Sequence, residues 1–516
     1  MNVLFIMADQ LRWDHLSCAG HPTLKTRAID ALAARGVRFS QAYVNSGVCG
    51  PNRMSFYTGR LPVSHGATWN RVPLSIGEVT MGEYLRGGGR ELALAGKTHV
   101  LPDREGLSRL RLEGDGELAT LLARGHFVEI DRYDGHHEPG AESGYPAYLR
   151  RHGYQSSDPW HDYVIATIDP DGGIHDGWSM RNVRWPARVA EPHSETAYMT
   201  DQAIAFADRM GSRPWVLHLS YVKPHWPYVA PSPYHAMFGP DDCPPVVRNA
   251  AERENEHPAL AAYRQHEESV SFQSEECVRT VRPVYQGLVQ QLDDHLGRLF
   301  EHLERIGVMK DTLVVFTADH GDFLGDHWLG EKEMFYDTIQ RIPMIVVDLR
   351  PQADATRGSV DERFVEPVDV LPTMLEALGL PVPEQRLEGR SLLPLLRGES
   401  PPWREFTYSE LDYSFRHARQ LLGRAPQQCR AFSIRTRTHR WVHWLDLPEQ
   451  LWDLRRDPDQ FEDLGRDASA AAERDAMRDR LLGVLARSKR RVTVSDAFVE
   501  SRTNTHHSMG IHFGRW

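Results

Sequence analysis

Two acids stand where apolar runs end. Asp9 closes Val3-Leu4-Phe5-Ile6-Met7-Ala8, Asp319 stands just past the run Thr312 to Thr317, and Gln10 and His320 follow them directly. Two carboxylates, an amide oxygen and an imidazole make a mixed oxygen and nitrogen set for one divalent cation. Asp9 taken alone reads better as the cap of a following helix. Asp319 and His320 sit in the denser run Ala318-Asp319-His320-Gly321-Asp322, where that bland reading is weak. Cys49 and Arg53 are one helical turn apart, so both side chains can share a face. A helix beginning near Pro51 would aim its N-terminal amides at the same point and favour negative charge there. A buried structural Cys with an Arg paired elsewhere is the plain alternative. Lys97 and His99 follow the strand-like Leu92 to Ala95, and His225 lies in Lys223-Pro224-His225-Trp226-Pro227, where flanking prolines fix the loop that aims it. Lys332 sits in Gly330-Glu331-Lys332-Glu333-Met334. Taken singly, a Lys is a solvated charge and a His is a packed or surface residue.

These positions need a frame that makes them converge. The chain has 516 residues, 41% hydrophobic and 25% charged, with a net charge of −11. That is a soluble globular composition without the basic stripe of a nucleic-acid binder, and it is too long for one simple core. Five scattered cysteines with no Cys-x-x-Cys pair form neither a disulfide framework nor a zinc site. The N-terminus runs straight into a strand, with no basic leader and no long apolar segment, so a cytoplasmic protein is expected.

Val3 to Ala8 reads as a buried parallel strand, Thr26 to Arg35 as a helix capped by Thr26 and ended by Gly36, and Val37 to Val44 as a strand. Ser194 to Met210 reads as a helix and Trp215 to Tyr221 as the next strand. Leu288, Leu292, Leu296, Leu299 and Leu303 place a long amphipathic helix over Pro283 to Ile306. This alternation predicts an α/β fold, a large mainly parallel or mixed sheet sandwiched by helices, with ligands gathered beyond the carboxyl ends of the strands. The stretch from about Leu101 to Glu191 has weak periodicity and reads as long loops over the site. Past Leu380 prolines multiply, then shorter strands (Glu405 to Leu411, Ala431 to Thr436, Arg440 to Leu445) and a helix (Glu473 to Leu485) predict a smaller α+β domain. The expected division is 1–380, 381–488, and a tail 489–516. The tail lacks a helical period but carries Phe498, His506, His507, Ile511, Phe513 and Trp516, which suits docking or oligomerisation.

Cys49-Gly50-Pro51-Asn52-Arg53, continued by Met54 to Arg60, resembles the segment in which sulfatases oxidise cysteine to formylglycine. Ala95-Gly96-Lys97-Thr98-His99 resembles their Gly-Lys-x-His motif, and the run Thr317 to His327 their late metal segment. Arg341-Ile342-Pro343, Gly389-Arg390-Ser391-Leu392 and Leu451-Trp452-Asp453-Leu454 are further markers, so the likeness spans nearly the whole chain. It points to formylglycine-dependent sulfatases of the alkaline phosphatase superfamily, near the branch of choline sulfatases and phosphonate monoester hydrolases. The resemblance implies an alkaline-phosphatase-like fold. It also implies metal ligands Asp9, Gln10, Asp319 and His320, with the modified Cys49 completing the shell. Many arylsulfatases have an acid and an Asn where this chain has Gln10 and His320. An imidazole suits manganese better than calcium, so of the two ions manganese gains weight.

By the same resemblance Cys49, Arg53, Lys97, His99, His225 and Lys332 are catalytic and Asn70 binds substrate. The aldehyde of formylglycine hydrates to a diol, one hydroxyl attacks the sulfuryl centre, and the other expels sulfate. Arg53, Lys97 and Lys332 neutralise charge, His225 or Lys332 protonates the leaving oxygen, and His99 drives elimination. Phosphonate monoester hydrolases resemble the rest of this chain but have Tyr and Thr at positions 97 and 99, so Lys97 and His99 favour sulfate monoesters. Hydrolysis of phosphonate monoesters or phosphate diesters at the same site is the alternative, and a non-catalytic binder of sulfated ligands is a third reading. Trp160, Trp178 and Trp185 could cage an aromatic or quaternary ammonium group. Expected partners are a formylglycine-generating enzyme and, from the tail, further copies in a homodimer or homotetramer.

Overall fold

The computed structural model describes residues 1–112, 116–135 and 144–514. Its strands in chain order are β1 (Asn2–Ala8), β2 (Val37–Ala42), β3 (Leu92–Gly96), β4 (Phe127–Arg132), β5 (Ala166–Ile168), β6 (Ile174–Asp176), β7 (Val216–Tyr221), β8 (Thr312–Ala318), β9 (Met344–Val347), β10 (Ser359–Val365), β11 (Phe406–Asp412), β12 (Arg430–Thr436), β13 (His439–Trp444) and β14 (Gln450–Asp453). Eight form one sheet in the order β10-β2-β9-β8-β1-β7-β3-β4. Every pair in it is parallel except those that β9 makes with β2 and β8. The central strands β1, β7 and β8 are buried at every position, as their unbroken apolar runs require of a sheet covered on both faces.

The covering helices include α1 (Arg27–Arg35), α2 (Cys49–Thr58), α3 (Glu195–Met210) and α4 (Glu275–Arg305). Gly36 ends α1, but the expected Thr26 side-chain cap is not made: its hydroxyl bonds Ser17 and Asp30 instead. The carboxylate of Asp293, from α4, accepts the N–H groups of Ala28 and Ile29 and does the capping. Ser194 does cap α3, accepting from Ala197. The long helix begins eight residues before its expected start, with Pro283 inside it. The apolar face continues upstream through Val278 and Val281, and this buried surface outweighs the roughly 3 kcal/mol that an internal proline costs.

The stretch from Leu101 to Glu191 is more than loops. Over its described residues it supplies the edge strand β4, the hairpin β5–β6, and short helices at Arg104–Arg109, Glu117–Ala123 and Gly144–Arg151. β4 escapes notice because Glu129, Asp131 and Arg132 interrupt its apolar pattern.

β11 to β14 form a separate antiparallel sheet, and α5 (Ala471–Arg487) packs on it. This is the smaller C-terminal domain. Asp337 joins it to the large sheet: its carboxylate meets Arg435 and Arg440 from the small sheet and the hydroxyl of Tyr43 from the end of β2. The described tail holds an α-helix, α6 (Asp496–Arg502), whose cap Ser495 accepts from the Phe498 N–H, and a 3-10 helix at Thr505–Met509; both are too short to leave a helical period in the sequence. Phe498, Ile511 and Phe513 are exposed on this chain, and Trp516 lies outside the described residues.

Candidate active site

Strand register assembles the site. Ala8 of β1 pairs with Ala318 of β8, so Asp9 and Asp319 leave the sheet side by side. On the other flank Ala8 pairs with Tyr221 of β7, and Ser220 pairs with Gly96 of β3, which delivers Lys97 to the same level. Gly96 is required where it stands. Its φ is 108°, and a Cβ there would lie 1.9 Å from the Ser220 carbonyl oxygen.

Asp9, Cys49, Asp319 and His320 are all buried, and one ligand atom from each lies within 4.8 Å of the others. His320 Nδ1 donates to the Gly321 carbonyl at 2.8 Å, which leaves Nε2 as the lone-pair nitrogen, 3.0 Å from Cys49 Sγ. Gln10 adopts a left-handed backbone (φ 64°) while its N–H bonds Asp319 at 3.0 Å. Its Nε2 donates to Asp322 at 2.5 Å, which fixes the amide so that Oε1, buried, has no hydrogen-bond partner. An orphaned buried amide oxygen beside two carboxylates and an imidazole nitrogen fits a divalent cation. These five residues could hold it.

The nucleophile candidate occupies the first turn of α2, which begins at Cys49 itself, two residues before the expected Pro51. Burial, then Asp9, pushes the Cys49 thiol up to about 12. Arg53, fully buried, stands one turn on and holds both acids: Nε to Asp319 at 2.8 Å and Nη2 to Asp9 at 3.2 Å. Its Nη1 donates to the Lys97 carbonyl at 3.0 Å and to Ser220 Oγ at 2.8 Å. Burial opposes ionisation of Asp9. The charges of Lys97 and Arg53 outweigh it and hold that carboxyl well below its ordinary range.

Lys97 is buried and its ammonium pairs with Asp9. His99 is half-buried, and burial followed by Lys97 holds its imidazole well below the usual value, against the pull of Asp134. Asp134 accepts the Thr98 N–H at 2.8 Å and so anchors this loop. His225 Nδ1 donates to the Trp226 carbonyl at 2.6 Å, which leaves Nε2 to accept from Lys332 Nζ at 2.9 Å. Burial works against the Lys332 ammonium, but Cys49, Glu331, Asp9 and Asp319 raise it above its ordinary value. Asn70 uses its amide oxygen on the Gly50 N–H at 2.7 Å, so it also fixes the start of α2.

Sequence reasoning missed the residues that hold these groups. Asn52 accepts from the Asn45 N–H at 3.0 Å and donates to the Asp319 carbonyl at 2.6 Å. Tyr228 and Asp322 fix Gln10. Asn52 and Asp322 lie inside quoted motifs, which was the available signal; Asn45 and Ser220 carry none. Trp226 and Glu331, the chain neighbours of His225 and Lys332, line a cavity of about 780 Å³ together with Trp178, Tyr228 and Arg416, although neither His225 nor Lys332 lines it. Trp178 belongs to it, and Trp160 packs on Trp178 from behind; Trp185 is not part of its lining.

The sulfatase family profile matches residues 1–108 and 120–380, and a profile for the C-terminal part of N-sulphoglucosamine sulphohydrolase matches 325–487. The chain is 32% identical to the multifunctional alkaline phosphatase superfamily protein PehA of Trinickia caryophylli, over 98% of this chain and 99% of that one. It is 28% identical to the choline-sulfatase of Rhizobium meliloti, over 89% and 81% of the two chains. Among solved structures, the phosphonate monoester hydrolase from Silicibacter pomeroyi superposes with a TM-score of 0.84 at 29% identity, covering 94% of this chain and 95% of that one. That of Agrobacterium radiobacter gives 0.81 at 28%, covering 94% and 96%. Strand-end acids, a cysteine opening a buried helix, and matches running the length of the chain agree: it is a hydrolase of the sulfatase family, within the alkaline phosphatase superfamily.

Proposed function

We propose that this hydrolase cleaves sulfate monoesters, aryl or small alkyl, using formylglycine made from Cys49 and one divalent ion, manganese or calcium. The observation that carries the reading is the ring of positive groups, Arg53, Lys97 and Lys332, around a buried cluster of Asp9, Cys49, Asp319 and His320. Asp9, Gln10, Asp319 and His320 would hold the ion, which supplies charge withdrawal from a tetrahedral anion. Formylglycine supplies the attacking hydroxyl.

The chain's own residues do the rest. Arg53 and Lys97 keep the acids ionised and offset charge that grows as the sulfuryl group loosens. The Lys332–His225 pair holds a proton on Nζ, and Lys332 or His225 gives a proton to the departing oxygen. His99, kept neutral, takes a proton when sulfate leaves. The cavity beside Trp226 receives the alcohol or phenol.

Lys97 and His99 favour sulfate, while the likeness to phosphonate monoester hydrolases keeps a second reading, hydrolysis of phosphonate monoesters or phosphate diesters. Turnover of an aryl sulfate against an aryl phosphonate monoester ranks the two. Mass spectrometry of the Cys49 peptide from active protein should show the aldehyde, and Cys49→Ala should fold normally and lose turnover. A plain thiol in active protein, or ordinary rates in that variant, refutes the proposal. A formylglycine-generating enzyme as maturation partner and assembly into a homodimer or homotetramer belong to the same proposal.

A further inference from the structure

The loop that carries His225 has too few donors of its own. Pro224 and Pro227 have no N–H, and the Val222–Tyr228 turn is closed by the His225 N–H on the Val222 carbonyl. The missing donors come from a side chain. Lys223, buried, reaches back with its ammonium to the Pro227 carbonyl at 2.7 Å and the His225 carbonyl at 3.4 Å.

That ammonium is itself held from outside the loop. Glu195 Oε2 lies 3.6 Å from Lys223 Nζ. Glu195 is the first residue of α3, where the helix favours a negative charge. Its other oxygen accepts from the Tyr133 hydroxyl and from Trp160 Nε1 at 3.0 Å. The carboxylate is therefore fixed from two further segments of the chain, and Lys223 is strung between it and the loop. The orientation of the His225 ring depends on the same loop, because Nδ1 bonds the Trp226 carbonyl between the two that Lys223 holds.

We propose that Lys223, anchored by Glu195, is a positioning residue for His225: its ammonium supplies the hydrogen bonds that the two prolines cannot, and thereby holds Nε2 on Lys332. Neither residue belongs to the metal cluster or touches Cys49. The inference rests on the reading that the His225–Lys332 pair protonates the leaving group.

The test is a series of aryl sulfates from dinitrophenyl through nitrophenyl to phenyl, assayed on the oxidised enzyme and on Lys223→Met. Proton donation matters least for dinitrophenolate and most for phenolate. The variant should keep kcat/KM for the dinitrophenyl ester within about threefold and lose on the order of 100-fold for the phenyl ester, the low end of general-acid contributions. In a His225→Ala background the same substitution should add less than about threefold, since coupled residues do not lose independently. A uniform loss across the series, or none, overturns the proposal. If Lys223→Met does not fold, Glu195→Gln replaces it and should show the same steepening with a smaller loss. If the unaltered enzyme turns over aryl phosphonate monoesters instead of sulfates, the sulfate reading falls and the same series on phosphonates tests Lys223. A crystal structure of the variant adds a readout free of activity: the His225 ring should leave Lys332, and an unmoved ring refutes the inference.

Discussion

Replacing Arg53 by Met tests the central electrostatic claim. The substitution keeps most of the aliphatic stem and removes the guanidinium, which makes bonds of 2.8 and 3.2 Å to two carboxylates with no exposed surface. Removing one partner of a buried ion pair costs about 3–5 kcal/mol, because the remaining charge is stranded. The unfolding entropy of about 2.1 cal/mol/K per residue, over 516 residues, comes to about 1.1 kcal/mol/K, so the melting temperature should fall by about 3–5 °C. The measurement belongs in chelator-treated protein, where no added cation can compensate. It should also depend on pH in a known direction. Asp9 is held below its unfolded value, so its ionisation stabilises the fold above about pH 4 and that contribution is lost as pH falls through the folded pKa. The gap between wild type and variant should therefore be full at pH 7 and shrink on acidification. Turnover in metal-replete protein should drop by about 100- to 1000-fold. An unchanged melting temperature at pH 7 would mean that Arg53 does not neutralise these acids.

Asp322→Ala should free the Gln10 amide and weaken divalent-ion binding by about 10- to 100-fold, measured by calorimetric titration into chelator-treated protein; unchanged affinity removes Gln10 from the ligand set. Gly96→Ala should cost about 1–3 kcal/mol, read as denaturant midpoint at constant m-value, and should lower turnover, because the Ser220 carbonyl it strikes bonds Lys97 and the Ser220 hydroxyl bonds Arg53.

What could be read from the sequence was local. Apolar runs ending in Asp9 and Asp319, and the cluster from Cys49 to Arg60, announce themselves within a dozen residues. The register that sets Ala8 against both Ala318 and Tyr221 does not, since pairing over such separations leaves no mark on either segment. Pro283 misled because a local breaker was overruled by a buried face that only the fold reveals. Glu195 lies inside the expected helix Ser194 to Met210 with no motif of its own, and Lys223 reads as the lead-in to a proline loop. Their relation exists only because α3 and β7 are neighbours in space.

Cys49 has no solvent-exposed surface once the chain is folded. The small sheet seals that state, since Tyr408 and Glu410 of β11 bond Asn45, Asn45 bonds Asn52, and Asn52 bonds the carbonyl of Asp319. If Cys49 is converted as proposed, the enzyme that converts it must reach the side chain before residues beyond 400 dock. At about 5–20 residues per second of translation, the interval is on the order of tens of seconds. Maturation would then be a race against closure, and a variant that folds faster would emerge less completely converted.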